Sequence, residues 1–365
     1  MDARAIIAVE NLVKRYEGGS LAVKDISFKV KEGECFGFLG PNGAGKSTTI
    51  KILTTLMPKT SGLVSVGGRD LDKEPRRIRE LIGVQSQETA IDLDLTAREN
   101  LTLQGHLQHM GGRVLEDRVN ELLSLVALEE VADKRGASYS GGMKKRLDLA
   151  TSLIHSPKIL FLDEPTTGLD PQSRAAIWSY LKRLNREEKI TIFLTTQYLE
   201  EADKLCDRLS IIDNGHIVAQ GTPDELKREI AADAVNLTLA NGHEAEDTHD
   251  PRIVTAKQVL SRIDGVKEVI NSENGLTVYG KNGAIMVPEI VRTLDSAQVR
   301  ISSINVSTPT LDDVFLKHTG RRIRTDGQEE EARIAAEGKG LSIEAQAGGC
   351  LDVTDSRLVA PIQQD

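Results

Sequence analysis

Short, almost wholly apolar runs alternate with stretches in which apolar residues recur every three or four positions. This pattern organises the first 228 residues of the chain. Cys35-Phe36-Gly37-Phe38-Leu39 and Ile159-Leu160-Phe161-Leu162 lack polar interruptions, as expected of strands buried on both faces of a parallel sheet. Ile50, Leu53, Thr54 and Met57 repeat at helical spacing, and Met143, Leu147, Ala150 and Ile154 share one helical face. Breaks fall at Gly18-Gly19, Gly67-Gly68, Gly111-Gly112 and Asn214-Gly215. The last joins Leu209–Asp213 to His216–Ala219 as a two-residue hairpin, and Gly221-Thr222-Pro223-Asp224-Glu225 then opens a helix. Strands and helices in alternation predict a layered α/β domain over residues 1–228.

The pattern changes further on. Strands at Val235–Leu239, Val266–Ile270, Leu276–Tyr279 and Val299–Val306, with helices at Ala256–Ile263 and Ile285–Ser296, give the order β-α-β-β-α-β. That order predicts a small α+β domain of the ferredoxin-like kind over residues 229–320, with a polar loop at 241–252. Periodicity is lost over residues 321–365, where glycines are scattered among mixed charges, so a disordered tail is expected.

Composition narrows the partners. Hydrophobic residues at 39% and charged residues at 28% suit a globular protein with a large core. A net charge of −9 argues against nonspecific binding to nucleic acid. The three cysteines, Cys35, Cys206 and Cys350, show no metal-ligand spacing and are expected to be reduced thiols of a cytosolic chain. Met1–Glu10 does not read as a secretory signal, and no apolar run is long enough to cross a bilayer. Any membrane channel must come from another chain.

The candidate chemistry starts at Gly40-Pro41-Asn42-Gly43-Ala44-Gly45-Lys46-Ser47-Thr48, which satisfies G-x-x-x-x-G-K-[ST] between a strand and a helix. Glycines let successive backbone N–H groups curl around phosphate oxygens, and the helix N-terminus places partial positive charge beneath them. Lys46 is expected to reach the β- and γ-phosphates of ATP and Ser47 to ligate Mg²⁺. Asp163, ending the second buried strand, is placed to hold Mg²⁺, and the adjacent Glu164 to act as general base toward water. Ser140-Gly141-Gly142 reads as an N-cap with an open helix end that suits a phosphate.

These motifs, together with a Gln-containing loop and Gly168-Leu169-Asp170-Pro171, occur in the order that resembles ATP-binding subunits of ABC transporters over about residues 6–228. The resemblance implies a P-loop NTPase fold and a head-to-tail dimer of two such subunits. Each ATP would then lie between the P-loop of one copy and the Ser140 signature of the other. It implies that Tyr16 stacks on adenine, with a half-buried strand tyrosine as the alternative. It implies that Gln87 senses the metal and faces the membrane partner, Gln85 being the competing choice, and that Asp170 lies at the dimer interface. The signature reads Tyr139-Ser140-Gly141-Gly142-Met143 where the family has Leu-Ser-Gly-Gly-Gln. Gln197 stands where most relatives carry histidine; it can donate to a γ-phosphate but cannot titrate near neutral pH.

Thr195-Thr196-Gln197-Tyr198-Leu199-Glu200-Glu201-Ala202-Asp203 and Leu311-Asp312-Asp313-Val314-Phe315-Leu316 narrow the resemblance to the daunorubicin/doxorubicin-type drug-resistance subfamily. For that subfamily the expectation is a homodimeric ATPase on the cytoplasmic face of the membrane, driving separate membrane-spanning permease subunits that export drugs, antibiotics or related hydrophobic compounds. A soluble ABC-type ATPase acting in assembly or repair is the competing reading.

Overall fold

The computed structural model describes residues 5–229, 233–239, 251–272, 275–280, 283–307 and 309–321. The expected tail, apart from Arg321, most of the polar loop and Cys350 lie outside these residues. The described residues form one compact unit.

The chain opens with two long strands, β1 (Ala5–Arg15) and β2 (Leu21–Lys31), then β3 (Cys35–Leu39) and α1 (Lys46–Leu53). Next come β4 (Ser61–Val66), β5 (Arg69–Asp70), α2 (Pro75–Arg79) and β6 (Ile82–Gln85). Three helices follow, α3 (Ala97–Leu107), α4 (Gly112–Leu125) and α5 (Gly141–Ser152). Strand and helix then alternate through β7 (Ile159–Asp163), α6 (Pro171–Glu187), β8 (Thr191–Thr196), α7 (Leu199–Leu205), β9 (Arg208–Asp213), β10 (His216–Gly221) and α8 (Pro223–Glu229).

Strands β2-β1-β4-β5 make an antiparallel sheet. A second sheet has the order β10-β9-β3-β8-β7-β6, parallel except for the β10 edge. The expected hairpin forms at that edge, with Asn214 and Gly215 both at positive φ (47° and 82°), as a tight right-twisted turn requires.

The uninterrupted apolar strands are explained by burial on both faces. On β7, Ile159 and Phe161 enter the core between the two sheets, while Leu160 and Leu162 enter the core beneath the helices. On β8, Phe193 faces the first core and Ile192 and Leu194 the second. Phe193 is the hub of an aromatic cluster, with the rings of Phe28, Phe36, Phe38 and Phe161 at 5.6–5.9 Å.

The later residues form β11 (Asp233–Leu239), α9 (Pro251–Leu260), β12 (Val266–Ser272), β13 (Gly275–Gly280), α10 (Gly283–Ser296), β14 (Ile301–Ser307) and α11 (Leu311–Thr319). Their antiparallel sheet has the order β12-β13-β11-β14, a split β-α-β arrangement over a core that includes Val235, Leu260, Val278 and Ile290. Most boundaries shift by one to three residues from the sequence pattern, and two starts have a local reason. Helix α9 starts five residues earlier than the apolar spacing suggests, because Pro251 is pre-set for the first helical turn. Strand β14 starts at Ile301, after Gln298 at φ 58° has reversed the chain. Helix α11 returns to the main body, where Leu311, Val314 and Phe315 join the core lined by Leu205, Ala202 and Leu226.

Because one ring touches four others and joins two packed sheets, Phe193→Ala is expected to cost about 3–5 kcal/mol. The check is a lowered urea midpoint at unchanged slope; a midpoint within error of the parent would contradict this packing.

Candidate functional site

The parallel strands β3, β7 and β8 lie side by side, so the loops at their C-terminal ends converge. The Gly40–Thr48 loop leaves β3. Its Gly40 N–H donates to the Thr196 carbonyl at 3.2 Å, and its Ala44 carbonyl accepts from Gly215 at 3.0 Å. Gly45 caps α1 at φ 108° without a side-chain cap, and a Cβ there would lie 2.5 Å from the Ala22 carbonyl oxygen. Gly43 also has positive φ (77°), but open space surrounds its Cβ position. The loop is thus fixed from below and accessible above. Ala44 and Gly45 are buried, while Asn42 and Gly43 are exposed.

Charges meet beneath the loop. Lys46 Nζ donates to the carbonyls of Gly40 at 2.8 Å and Pro41 at 3.0 Å, and pairs with Glu164 Oε1 at 3.1 Å. Both side chains are nearly inaccessible, at 4% and 6% exposure, so each charge depends on its partners. Asp163 Oδ1 accepts from Ser47 Oγ at 3.2 Å and from Thr195 Oγ1 at 2.6 Å. Glu164 sits at φ 50°, rare for a residue with a Cβ, and its N–H bonds both the carbonyl and the hydroxyl of Thr195 at 3.2 Å. Its Oε2 accepts from Thr167 Oγ1 at 3.2 Å. The left-handed turn separates the two neighbouring carboxylates, so Asp163 meets Ser47 while Glu164 meets Lys46.

A serine hydroxyl beside one carboxylate suits a small hard cation that takes its remaining oxygens from phosphate and water. No group of three or more His, Cys, Asp and Glu forms a metal cage among the described residues.

The other expected residues take varied positions. Gln197 follows β8 and is buried, directly after Thr195 and Thr196. Tyr16 is half-exposed, with its hydroxyl 3.1 Å from Thr48 Oγ1 and the Lys14 ammonium 5.5 Å from its ring centre. Gln87 is exposed, and no hydrogen bond joins it to Ser47 or Asp163 among the described residues. Its competitor Gln85 is buried and donates to the Lys145 carbonyl at 3.2 Å. Ser140 caps α5, accepting from Met143 N at 3.3 Å, and together with Gly141 it is exposed. Helix α5 packs against α3, α4, α6 and β6, whereas α1 packs against β2, β7 and β8, so the signature stands apart from the loop that holds Lys46. Gly142 is buried where a Cβ would come within 2.6 Å of Ser173 Oγ. Ser173 in turn donates to Asp170, the cap of α6, and this hydroxyl holds the Asp170 carboxyl below the usual carboxylate range.

Three groups escape the sequence reading. Thr195 joins Asp163 and Glu164 through one hydroxyl, and only the strand register reveals it. Lys145 and Asp148 lie buried under the loop that carries Gln87. Glu201 is fully buried, its Oε1 accepting from Thr166 Oγ1 at 2.8 Å and from Trp178 Nε1 at 2.9 Å. Burial pushes this carboxyl above the usual carboxylate range despite those bonds. Glu201 therefore ties the loop after Glu164 to helix α6. Helical phasing from the end of β8 hints at it, because Glu200 is exposed and Glu201 is not.

Comparison with known proteins agrees with this geometry. Residues 23–167 match the family model described as ABC transporter, and residues 221–319 match that of the ATP-binding protein DrrA1-3-like C-terminal domain. The chain is 42% identical to the daunorubicin resistance ATP-binding protein DrrA2 of Streptomyces coeruleorubidus, over 91% of this chain and all of that one. It is 38% identical to the daunorubicin/doxorubicin resistance ATP-binding protein DrrA of Streptomyces peucetius, over 89% of this chain and 96% of the relative. Among solved structures, the dimeric ATP-binding cassette MJ0796 bound to ADP and Pi superposes with a TM-score of 0.55 at 29% identity, covering 59% of this chain and 98% of that one.

Glu201→Ala strips the acceptor from Thr166 and Trp178 and is expected to cost about 2–4 kcal/mol. Trp178 is the sole tryptophan, so its emission reports the loss directly; unchanged emission and stability would contradict the assigned bonds.

Proposed function

The chain belongs to the ATP-binding proteins of ABC transporters and is an ATPase, and we propose that it powers an exporter of drugs, antibiotics or related hydrophobic compounds. The observation that carries this reading is the convergence of Lys46, Ser47, Asp163 and Glu164 at the ends of adjacent parallel strands. Residues 1–228 act as the catalytic cassette, 229–320 as a ferredoxin-like accessory domain, and 321–365 as a tail. No helix among the described residues is long and apolar enough to cross a membrane. The translocation path accordingly belongs to separate permease subunits, against which the cassette sits on the cytoplasmic face.

The Gly40–Thr48 loop binds the triphosphate. An incoming phosphate competes with the Gly40 and Pro41 carbonyls and with Glu164 for Lys46, which carries its charge to the β- and γ-oxygens. That exchange frees the Glu164 carboxylate to accept a proton from the attacking water as ADP leaves. Ser47 and Asp163 would hold Mg²⁺, and Gln87 would contribute from the loop after β6. Mg²⁺ supplies charge neutralisation across the phosphate oxygens when bound. Gln197 donates to the γ-phosphate, and Tyr16 stacks on adenine. Ser140, Gly141 and Gly142 complete the site from a second copy of the chain, as suits an exposed helix N-terminus facing an anion.

Replacing Glu164 with Gln removes the base and keeps the shape. The expected result is retained ATP binding, turnover lowered at least about 100-fold, and a dimer that persists in Mg²⁺ and ATP. Steady-state hydrolysis and light scattering measure this. Turnover near the parent rate would remove Glu164 from the role.

A further inference from the structure

The exposed loop 86–90 is held by two buried charged side chains. Lys145 Nζ donates to the Gln87 carbonyl at 2.6 Å, and Asp148 Oδ1 accepts from Ala90 N at 3.1 Å. Gln85 closes the third side by donating to the Lys145 carbonyl at 3.2 Å. Both charged residues belong to α5, one turn apart, and both are buried, at 8% and 2% exposure.

Burying a lysine and an aspartate is costly unless each is hydrogen-bonded, and here the bonds go mainly to main-chain atoms of a surface loop. Burial lowers the Lys145 ammonium below the ordinary lysine range, opposed by attraction from Asp148, Asp163 and Glu164. Burial likewise raises Asp148, opposed by Ala90, Gln85 and Lys145. What the charges provide is a fixed distance between the Gln87 main chain and α5. At about 1.5 Å per residue, Asp148 lies about 12 Å along the same rigid helix from Ser140.

We propose that Lys145 and Asp148 are positioning residues that clamp the Gln87 loop to the signature helix, so that docking of Ser140 onto a partner copy sets where Gln87 stands relative to Ser47 and Asp163. The clamp rests on the reading of Gln87 as the metal-sensing glutamine. Within one chain it links the half-site used by the partner to the half-site used by the chain itself. Arginine can replace lysine in this role because it also donates to a carbonyl, whereas methionine fills the space without donating.

The test compares Lys145→Met, Lys145→Arg, Gln87→Ala and the Lys145→Met/Gln87→Ala double variant in the full-length chain. Turnover is followed along with binding of a fluorescent ATP analogue, with and without Mg²⁺. Lys145→Met is expected to lower kcat about tenfold, weaken only the Mg²⁺-dependent part of binding, and leave Mg²⁺-free affinity within about twofold. Lys145→Arg restores turnover to within about threefold of the parent, and the double variant is no slower than Gln87→Ala by more than about twofold. Multiplying losses in the double variant, or equal losses with Met and Arg, would overturn the clamp while leaving Gln87 its role. A Gln87→Ala chain as fast as the parent would overturn both. Should Lys145→Met fail to fold, Lys145→Leu, which also fills space without donating, replaces it; an additive cycle there overturns the clamp equally.

Discussion

Everything in the site depends on one buried ion pair, Lys46 with Glu164 at 3.1 Å. Two charges out of contact with water need partners, and the surrounding backbone supplies them. The Gly40 and Pro41 carbonyls take the remaining Lys46 protons, and Thr167 takes the second Glu164 oxygen. The pair is also what makes the site responsive. In the proposed mechanism, a phosphate that draws Lys46 away would leave Glu164 with the Thr167 hydroxyl as its remaining partner, free to act as base. The sheet enforces the meeting. Gly40, Glu164 and Gln197 each follow a strand of the same parallel set, and the phenylalanine cluster behind β3, β7 and β8 fixes how those strands lie.

Two layers of hydrogen bonds extend from that pair. Thr195 holds Asp163 and Glu164 from the neighbouring strand, and Glu201 holds Thr166 and Trp178 from helix α7. Helix α7 also meets α11, which brings Leu311, Val314 and Phe315 into the main core and bonds Asp313 to Tyr279 of β13. The accessory residues are therefore continuous with the helix that follows Gln197. A capping box between Thr310 and Asp313 starts α11, so the Leu311–Leu316 stretch is helical for local reasons and docked for hydrophobic ones.

The sequence made some of this legible because the chemistry is local. Gly40–Thr48 and Asp163-Glu164 are contiguous, and their strand and helix contexts are readable from periodicity. The Asn214-Gly215 hairpin needed only turn preferences. What stayed hidden depends on register and burial across the fold. Gln85 and Gln87 are indistinguishable as residue types, yet one is buried against α5 and the other exposed, because β6 ends at Gln85 and Gln87 lies in the exposed loop that follows. Glu200 and Glu201 differ in the same way around α7. Of Ser47, Gln87 and Asp163, expected to share a metal, only Ser47 and Asp163 are joined by a hydrogen bond among the described residues, and Gln87 sits on a loop whose main chain is bonded by Lys145, nearly sixty positions away in sequence. Proline at the first turn of α9 outweighed the apolar spacing that suggested a later start.

The account requires a catalytic unit divided between two copies, with Lys46 on one and Ser140 on the other. Mixing a Lys46→Ala chain with a Ser140→Arg chain tests this directly, since each alone lacks half of every site and the mixed dimer regains one complete site. The predicted result is ATP hydrolysis in the mixture that neither variant shows alone. A mixture as inactive as its components, with mixed dimers demonstrably present, would contradict the divided site.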